Sequence, residues 1–230
     1  MHHIPRGDIL HISINTYKML GEYMKYNSFK LNLYRCCNCS IFLVNIAFTL
    51  ISLGHLEGGR YMKTLEGGTT ALHVLLKYLG FLYYKRDIEA LYDAYAKFWL
   101  CESLNRKLYT KINANHRIAR NIQIFIVVAT TCIMTVYCLR PILSSKAKFI
   151  FEWWIPGGSV VLETLALFSQ YYFTMLVVPV VFAYDSIYLS YSMHMISQLK
   201  LLNFRLERMA MGVDNLEIYR CIRHHQFLLA

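Results

Sequence analysis

The stretch NIQIFIVVATTCIMTVYCLR, residues 121–140, carries no charged side chain until its final arginine. About 20 apolar residues in a helix are enough to cross the ~30 Å hydrocarbon core of a bilayer. Three other stretches have a similar composition, at residues 38–56, 69–84 and 160–184. The sequence therefore predicts an all-α, polytopic membrane protein with four transmembrane helices.

The composition of the whole chain agrees with a lipid environment. Hydrophobic residues make up 56% of the 230 positions and charged residues 17%, whereas charged residues form about a quarter of a typical soluble domain. A formal charge of +10 would ordinarily raise nucleic acid as a partner. The positions of the basic residues indicate membrane lipid instead, and no nucleic acid is expected.

Lysine and arginine alternate between the two sides of the predicted spans. Of the 24 basic residues, 18 fall in residues 1–37, 85–120 and 185–230. Five fall on the other side, four of them in the intervening loops and Arg140 at the outer end of the third span, and Lys77 lies inside a span. Cytoplasmic segments of membrane proteins carry such an excess. We therefore expect a multi-pass protein with a cytoplasmic N-terminus and one domain over residues 1–230.

Two of the spans are predicted to continue beyond the membrane. The second flows without a breaker into KRDIEALYDAYAKFW, in which apolar residues recur at three- and four-residue steps. The fourth continues through QLKLLNFRLERM until Gly212 and Asp214. We expect long cytoplasmic helical extensions, and we expect Pro141 to end the third span.

Seven cysteines include Cys36, Cys37 and Cys39 in the run CCNC at the start of the first span. An odd number without a second CxxC does not favour zinc or disulfides, and no metal site is expected. Two interpretations stay open for this run. The thiols are either small buried side chains, which is the simpler reading, or palmitoylation sites beside the membrane.

Two further features call for a structural interpretation. Lys77 lies near mid-membrane, where it is expected to serve a function, to snorkel, or to pair with a carboxylate such as Glu163. Phe149, Phe151, Trp153 and Trp154 stand together in an outer loop, and aromatic residues at that depth are typical of an interface belt.

Motifs of catalysis are missing from the sequence. It has no GxSxG, HExxH or GxxxxGK pattern, and adjacent His224 and His225 point in different directions on a helix. We expect no enzyme activity and no cofactor. A membrane enzyme or transporter is the competing class, but it would need intramembrane acids, metal ligands or inverted repeats.

Several motifs in this order resemble the insect odorant receptor family. They are the second span running into KRDIEALYDAYAKFW, the loop WWIP, QYYF in the fourth span, AYDSIYLSYSMHMISQLKLLNFRL, and IRHHQFLL. The resemblance extends from about residue 12 to residue 230. Insect gustatory receptors share the architecture and are the closest alternative.

The resemblance implies a seven-helix plasma-membrane receptor with a cytoplasmic N-terminus. It implies an odorant-gated cation channel that assembles as a heterotetramer with an obligate co-receptor and serves olfactory signal transduction. With four spans where the family has seven, we expect a fragment that precedes the pore helices. Candidate ligand-binding residues in the outer halves of the helices are His73, Met134, Tyr137, Phe168, Tyr171, Tyr172 and Met175.

Overall fold

The apolar stretches of the sequence form long helices in the computed structural model. The structure describes residues 16, 29–55, 59–95, 97–99, 106–144, 147–155, 159–209 and 215–229. Within these ranges all regular structure from residue 29 onward is α-helical. Most of the lead-in at residues 1–37 and Cys101 lie outside the described residues.

Six helices follow one another from residue 29. They are α1 (Phe29–Leu53), α2 (Gly59–Tyr83), α3 (Lys85–Tyr95), α4 (Arg106–Leu143), α5 (Val160–Met209) and α6 (Asn215–Leu229). By length and composition, α1, Leu108–Leu143 of α4, and α5 can each cross a membrane. The prediction of an all-helical multi-pass membrane protein is confirmed.

All of the predicted span 69–84 except residue 84 lies within α2. This helix is not among the three with spanning composition, because His73, Lys77 and several glycines lower its hydropathy. It nevertheless packs against α1 and α5, burying Ala71, Val74 and Tyr78. Its crossing of the membrane stays a prediction.

Helix α5 is the centre of the bundle. At 50 residues it is roughly 75 Å long, and it packs against α1, α2, α4 and α6. Half of the most apolar stretch of α5 is buried inside the bundle. The corresponding value for α4 is 6%, so most of that helix faces away from the other helices. The expected extension of the fourth span is confirmed, since the helix runs through Pro179 to Met209.

Two expected helix ends are wrong. The extension of α2 turns at Tyr84 and ends at Tyr95, and residues 97–99 form a turn before α4 begins at Arg106. Pro141 lies inside the last turn of α4, which ends at Leu143. The fixed φ of proline, about −65°, fits a helical backbone, so the helix continues for two residues past Pro141 with the loss of one helical hydrogen bond.

Candidate ligand-binding site

The loop between α4 and α5 folds into one end of the bundle, here called the loop end. Its side chains Phe149, Ile150, Phe151 and Trp153 are at most 8% exposed. The expectation of an interface belt is therefore wrong for Phe149, Phe151 and Trp153, whereas Trp154 is half-buried. Once the loop folds inward, its apolar rings gain more by packing against α1, α2 and α5 than by lying on the surface.

Gln170 of α5 holds this loop through its backbone. Its Oε1 accepts hydrogen bonds from the N–H groups of Ile150, at 2.8 Å, and Phe151, at 3.2 Å. Its Nε2 donates to the carbonyl of Phe151 at 3.0 Å. Because Gln170 is fully buried, these bonds satisfy polar groups of the loop that water cannot reach.

Other side chains bind the same loop from α1, α2 and α4. Arg140 donates to the carbonyl of Ile150 at 2.8 Å and pairs with the Glu152 carboxylate at 2.5 Å. The hydroxyl of Thr64 donates to the Glu152 carbonyl at 2.6 Å, and Ser52 Oγ accepts from the Trp154 N–H at 2.8 Å. Four helices therefore contribute to holding the loop.

Two glycines of α2 permit close packing at the loop end. A Cβ on Gly67 would lie 2.7 Å from Phe151 Cγ, and one on Gly68 would lie 2.4 Å from Thr49 Cγ2. Neither distance is compatible with ordinary van der Waals contact. Glycine is needed here so that α2 can approach both the loop and α1.

Polar side chains join the helices inside the bundle. The amide of Asn38 donates to the Tyr78 hydroxyl at 3.2 Å, and its Oδ1 accepts from the Tyr172 hydroxyl at 2.9 Å. Asn45 donates to Ser169 Oγ at 3.1 Å. Such bonds are a common means of joining helices in lipid, where the hydrophobic effect contributes little.

The partner of Lys77 differs from the one expected. Lys77 Nζ lies 2.6 Å from Asp185 Oδ1, whereas Glu163 lies 3.1 Å from Lys148 Nζ. The reason is the parallel course of α2 and α5, which both run away from the loop end. Lys77 lies well along α2 and therefore beside Asp185, whereas Glu163 lies in the first turn of α5 at the loop end. Lys77 therefore has a carboxylate partner, as one of the expected interpretations states, but Glu163 as that partner is wrong.

The seven predicted ligand-binding residues divide into two groups. His73, Phe168 and Met175 have exposed side chains that point away from the core. Met134, Tyr137, Tyr171 and Tyr172 are half-buried and pack against it.

The half-buried tyrosines each have a hydrogen-bond partner. The Tyr137 hydroxyl donates to the Glu66 carboxylate, and its ring lies 5.9 Å from that of Phe151. The Tyr171 hydroxyl donates to the Cys138 carbonyl at 3.0 Å. The structure thus brings apolar side chains and a few hydroxyl groups together at the loop end.

Sequence reasoning missed the loop-binding side chains Gln170, Arg140, Thr64 and Ser52. The sequence does indicate a role for Gln170, because an amide side chain within an apolar span needs a hydrogen-bond partner. Arg140 was counted only as an outer charge. The roles of these four residues depend on the loop folding inward, and no local sequence pattern predicts that.

A second group of contacts lies at the opposite end of the bundle, called the α6 end. Gln198 Oε1 accepts from the Trp99 N–H at 3.0 Å and from His224 Nε2 at 3.1 Å. The Trp99 ring stacks on that of His224 at 3.7 Å, and the Arg205 guanidinium lies 4.1 Å from the Trp99 ring. These contacts tie α5 and α6 to the turn before α4.

Burial, reinforced by the Arg205 charge, lowers the pKa of His224 to about 4. The neighbouring His225 is exposed, so the two imidazoles point in different directions as their spacing predicts. His224 is therefore a neutral structural residue at physiological pH.

A cavity of about 640 Å³ also lies near the α6 end, between α4 and α5. It is lined by Leu108, Leu199 and Phe204 together with the charged Lys111 and Lys200. Most of its lining surface is apolar, and Glu207 adds a third charged side chain. It is also remote from the loop end, where Met134, Tyr137 and Tyr171 gather.

Comparison with known proteins agrees with the helical fold. The chain superimposes on the insect olfactory receptor OR5 from Machilis hrabei with a TM-score of 0.71 at 13% identity. That match covers 96% of this chain and 64% of the receptor chain. Curated proteins show no match.

The family match is more specific than the shared fold. The family model described as 7tm Odorant receptor matches residues 58–230, which is most of the chain. This supports a receptor rather than an enzyme, and odorant receptors rather than the gustatory alternative. The chain belongs to the 7tm odorant receptor family.

Proposed function

We propose that this chain forms the odorant-binding part of an odorant-gated cation channel subunit in the plasma membrane. Its N-terminus faces the cytoplasm, so the loop end faces the exterior. Family membership supports the receptor role, and the excess of lysine and arginine at the α6 end supports the orientation.

The observation that carries the binding proposal is the inward-folded loop above half-buried Met134, Tyr137 and Tyr171. A volatile odorant binds mainly by removing apolar surface from water. Burying about 200 Å² of it contributes roughly 5 kcal/mol at ~25 cal/mol per Å². A hydroxyl such as that of Tyr171 then selects among odorants with one polar group.

Two methionines provide a matched test of this site. Met134 is half-buried against the core, whereas Met175 is 69% exposed. We expect Met134→Ala, in the receptor that carries this sequence, to shift the half-maximal concentration of at least one odorant by about tenfold, which equals ~1.4 kcal/mol. Met175→Ala should leave the profile unchanged.

The measurement is a calcium or current response to an odorant panel in cells that also express the co-receptor. Surface labelling corrects for the amount of each variant. A second pair, Tyr171→Ala and Phe168→Ala, repeats the comparison on α5, since Phe168 is exposed. Equal shifts within both pairs would contradict the proposed site.

The proposal also includes assembly with the co-receptor as a heterotetramer. Several large apolar side chains of α4 are exposed, and in the assembled receptor lipid or other helices cover them. Co-purification of the co-receptor with a tagged chain tests the association. Recovery no higher than with an unrelated multi-pass protein would count against it.

A further inference from the structure

We propose that Cys36 and Cys37 are sites of S-acylation by a long-chain fatty acyl thioester. The proposal rests on the orientation given under the proposed function, which places the start of α1 on the cytoplasmic side. Three observations support the proposal. They are the packing of α1, the depth of the two cysteines in the membrane, and their difference from the other cysteines.

Both side chains are exposed, contrary to the expectation of small buried residues. Asn38 is fully buried, and the buried face of α1 continues through Phe42 and Asn45. At 100° per residue, Cys36 lies about 160° around the helix from Asn38. The physical reason for its exposure is therefore the angular position of the helix's packed face.

The outward face that holds the two thiols carries several exposed apolar side chains and the small polar Ser40. Leu33, Leu43 and Val44 are 54%, 57% and 38% exposed on the same side of α1. An exposed apolar strip on a membrane helix contacts lipid. An acyl chain attached at Cys36 or Cys37 would therefore extend along a surface already suited to it.

The depth of the pair is that of the inner membrane boundary. Leu53 ends α1 at the loop end, and Cys36 lies 17 residues before it, a rise of about 26 Å that nearly crosses the ~30 Å hydrocarbon core. Tyr83 and Tyr188 are 81% and 74% exposed, as expected of tyrosines at a membrane–water interface.

This depth is where membrane-bound acyltransferases reach cysteines, and Lys30 and Arg35 nearby suit the anionic inner surface. The thiolate Sγ attacks the carbonyl carbon of an acyl coenzyme A thioester, and a new S–C bond forms. The bond from that carbonyl to the coenzyme sulfur breaks, and coenzyme A leaves and takes up the proton. No oxidant or reductant is required.

The remaining described cysteines are less suited to the reaction. Cys221 is buried, Cys39 and Cys138 are partly buried, and Cys132 is exposed but lies in the middle of the third span. Cys132 is the matched control, because its thiol shares the exposure and lacks the boundary depth.

Acyl-PEG exchange tests the proposal on the receptor that carries this sequence, expressed in insect cells. Free thiols are blocked, hydroxylamine cleaves thioesters, and a PEG maleimide then shifts each released thiol on a gel. We expect a two-step shift in the wild type and one step in Cys36→Ala or Cys37→Ala. The double variant should retain less than about a tenth of the signal, and Cys132→Ala all of it.

A wild type without a hydroxylamine-dependent shift, or a double variant with an undiminished one, would overturn the proposal. The single variants keep the test decisive if the double variant fails to fold. The side of the membrane on which a tag at residue 1 lies distinguishes failure of the acylation proposal from failure of the proposed orientation. If the tag is on the cytoplasmic side and no hydroxylamine-dependent shift is seen, only the acylation proposal is overturned. If the tag is on the outside, both the acylation proposal and the proposed orientation are overturned.

Discussion

Lys77 Nζ of α2 lies 2.6 Å from Asp185 Oδ1 of α5. The lysine side chain is 15% exposed and the aspartate side chain 40% exposed, and the pair joins two helices that are far apart in sequence. Removing one partner leaves the other charge in a poorly solvated position.

We therefore expect Lys77→Met and Asp185→Asn each to destabilise the protein by about 1–3 kcal/mol, because the aspartate is partly solvated. The double variant should lose less than the sum of the two single changes. Thermal unfolding of the detergent-solubilised protein, followed by size-exclusion chromatography, measures the effect. Glu163→Gln, which removes the Lys148 pair, is the control and should change stability by less than about 1 kcal/mol. Strict additivity of the two changes would contradict the coupling.

Gln170→Leu should release the inward-folded loop. The substitution leaves the N–H of Ile150 and the carbonyl of Phe151 without their side-chain partner, at a cost of about 1–3 kcal/mol for each buried group. We expect faster proteolysis within residues 147–155. Thr164→Ala is the control, because that hydroxyl bonds only the Val160 carbonyl of its own helix in an exposed position. Identical cleavage rates for the two variants would show that Gln170 does not hold the loop.

Gly67→Ala should destabilise the loop end by about 1–3 kcal/mol, because the new methyl group meets the Phe151 ring. Gly80→Ala places a Cβ 3.5 Å from Tyr184 Cε2, which is an ordinary contact, so this variant should be neutral or slightly more stable. Comparison of the two melting temperatures with that of the wild type checks the prediction, and equal values for Gly67→Ala and Gly80→Ala would contradict it.

A tag at residue 1 should be protected from extracellular reagents in intact cells. The physical reason is the excess of lysine and arginine in residues 1–37, 85–120 and 185–230. Antibody staining before and after permeabilisation measures the protection. A tag inserted at His55, beyond the outer end of α1, should show the opposite pattern. Staining at residue 1 without permeabilisation would refute the orientation.

Acidification should loosen the α6 end through His224. In the folded protein its pKa is about 4, below the ordinary 6.5, so the unfolded chain binds more protons between these values. Stability therefore falls as the pH decreases from about 6.5 to 4. His224→Gln cannot take up a proton but can still donate to Gln198, so its melting temperature should fall less over this interval. A decrease as large as that of the wild type would exclude His224 as a source.

Much of the architecture was predictable because it depends on hydropathy and residue spacing within single segments. The first, third and fourth spans follow from runs of apolar residues, and the continuation of α5 to Met209 follows from the spacing of Leu199, Leu202 and Leu206. The predicted ligand-binding residues were only partly sorted by such reasoning. Depth along a helix distinguishes outer from inner, but it does not show that Met134 faces the core and Met175 does not.

The amino-acid sequence by itself determined that this protein is helical and membrane-embedded, and it indicated the odorant receptor family, because hydropathy and motif order act within single segments. Only the tertiary structure decided that the aromatic loop folds inward onto Gln170, that Lys77 pairs with Asp185, and that Cys36 and Cys37 face outward. These outcomes depend on how separate helices are rotated and aligned against one another. Packing between residues a hundred positions apart sets that alignment, and no local pattern encodes it.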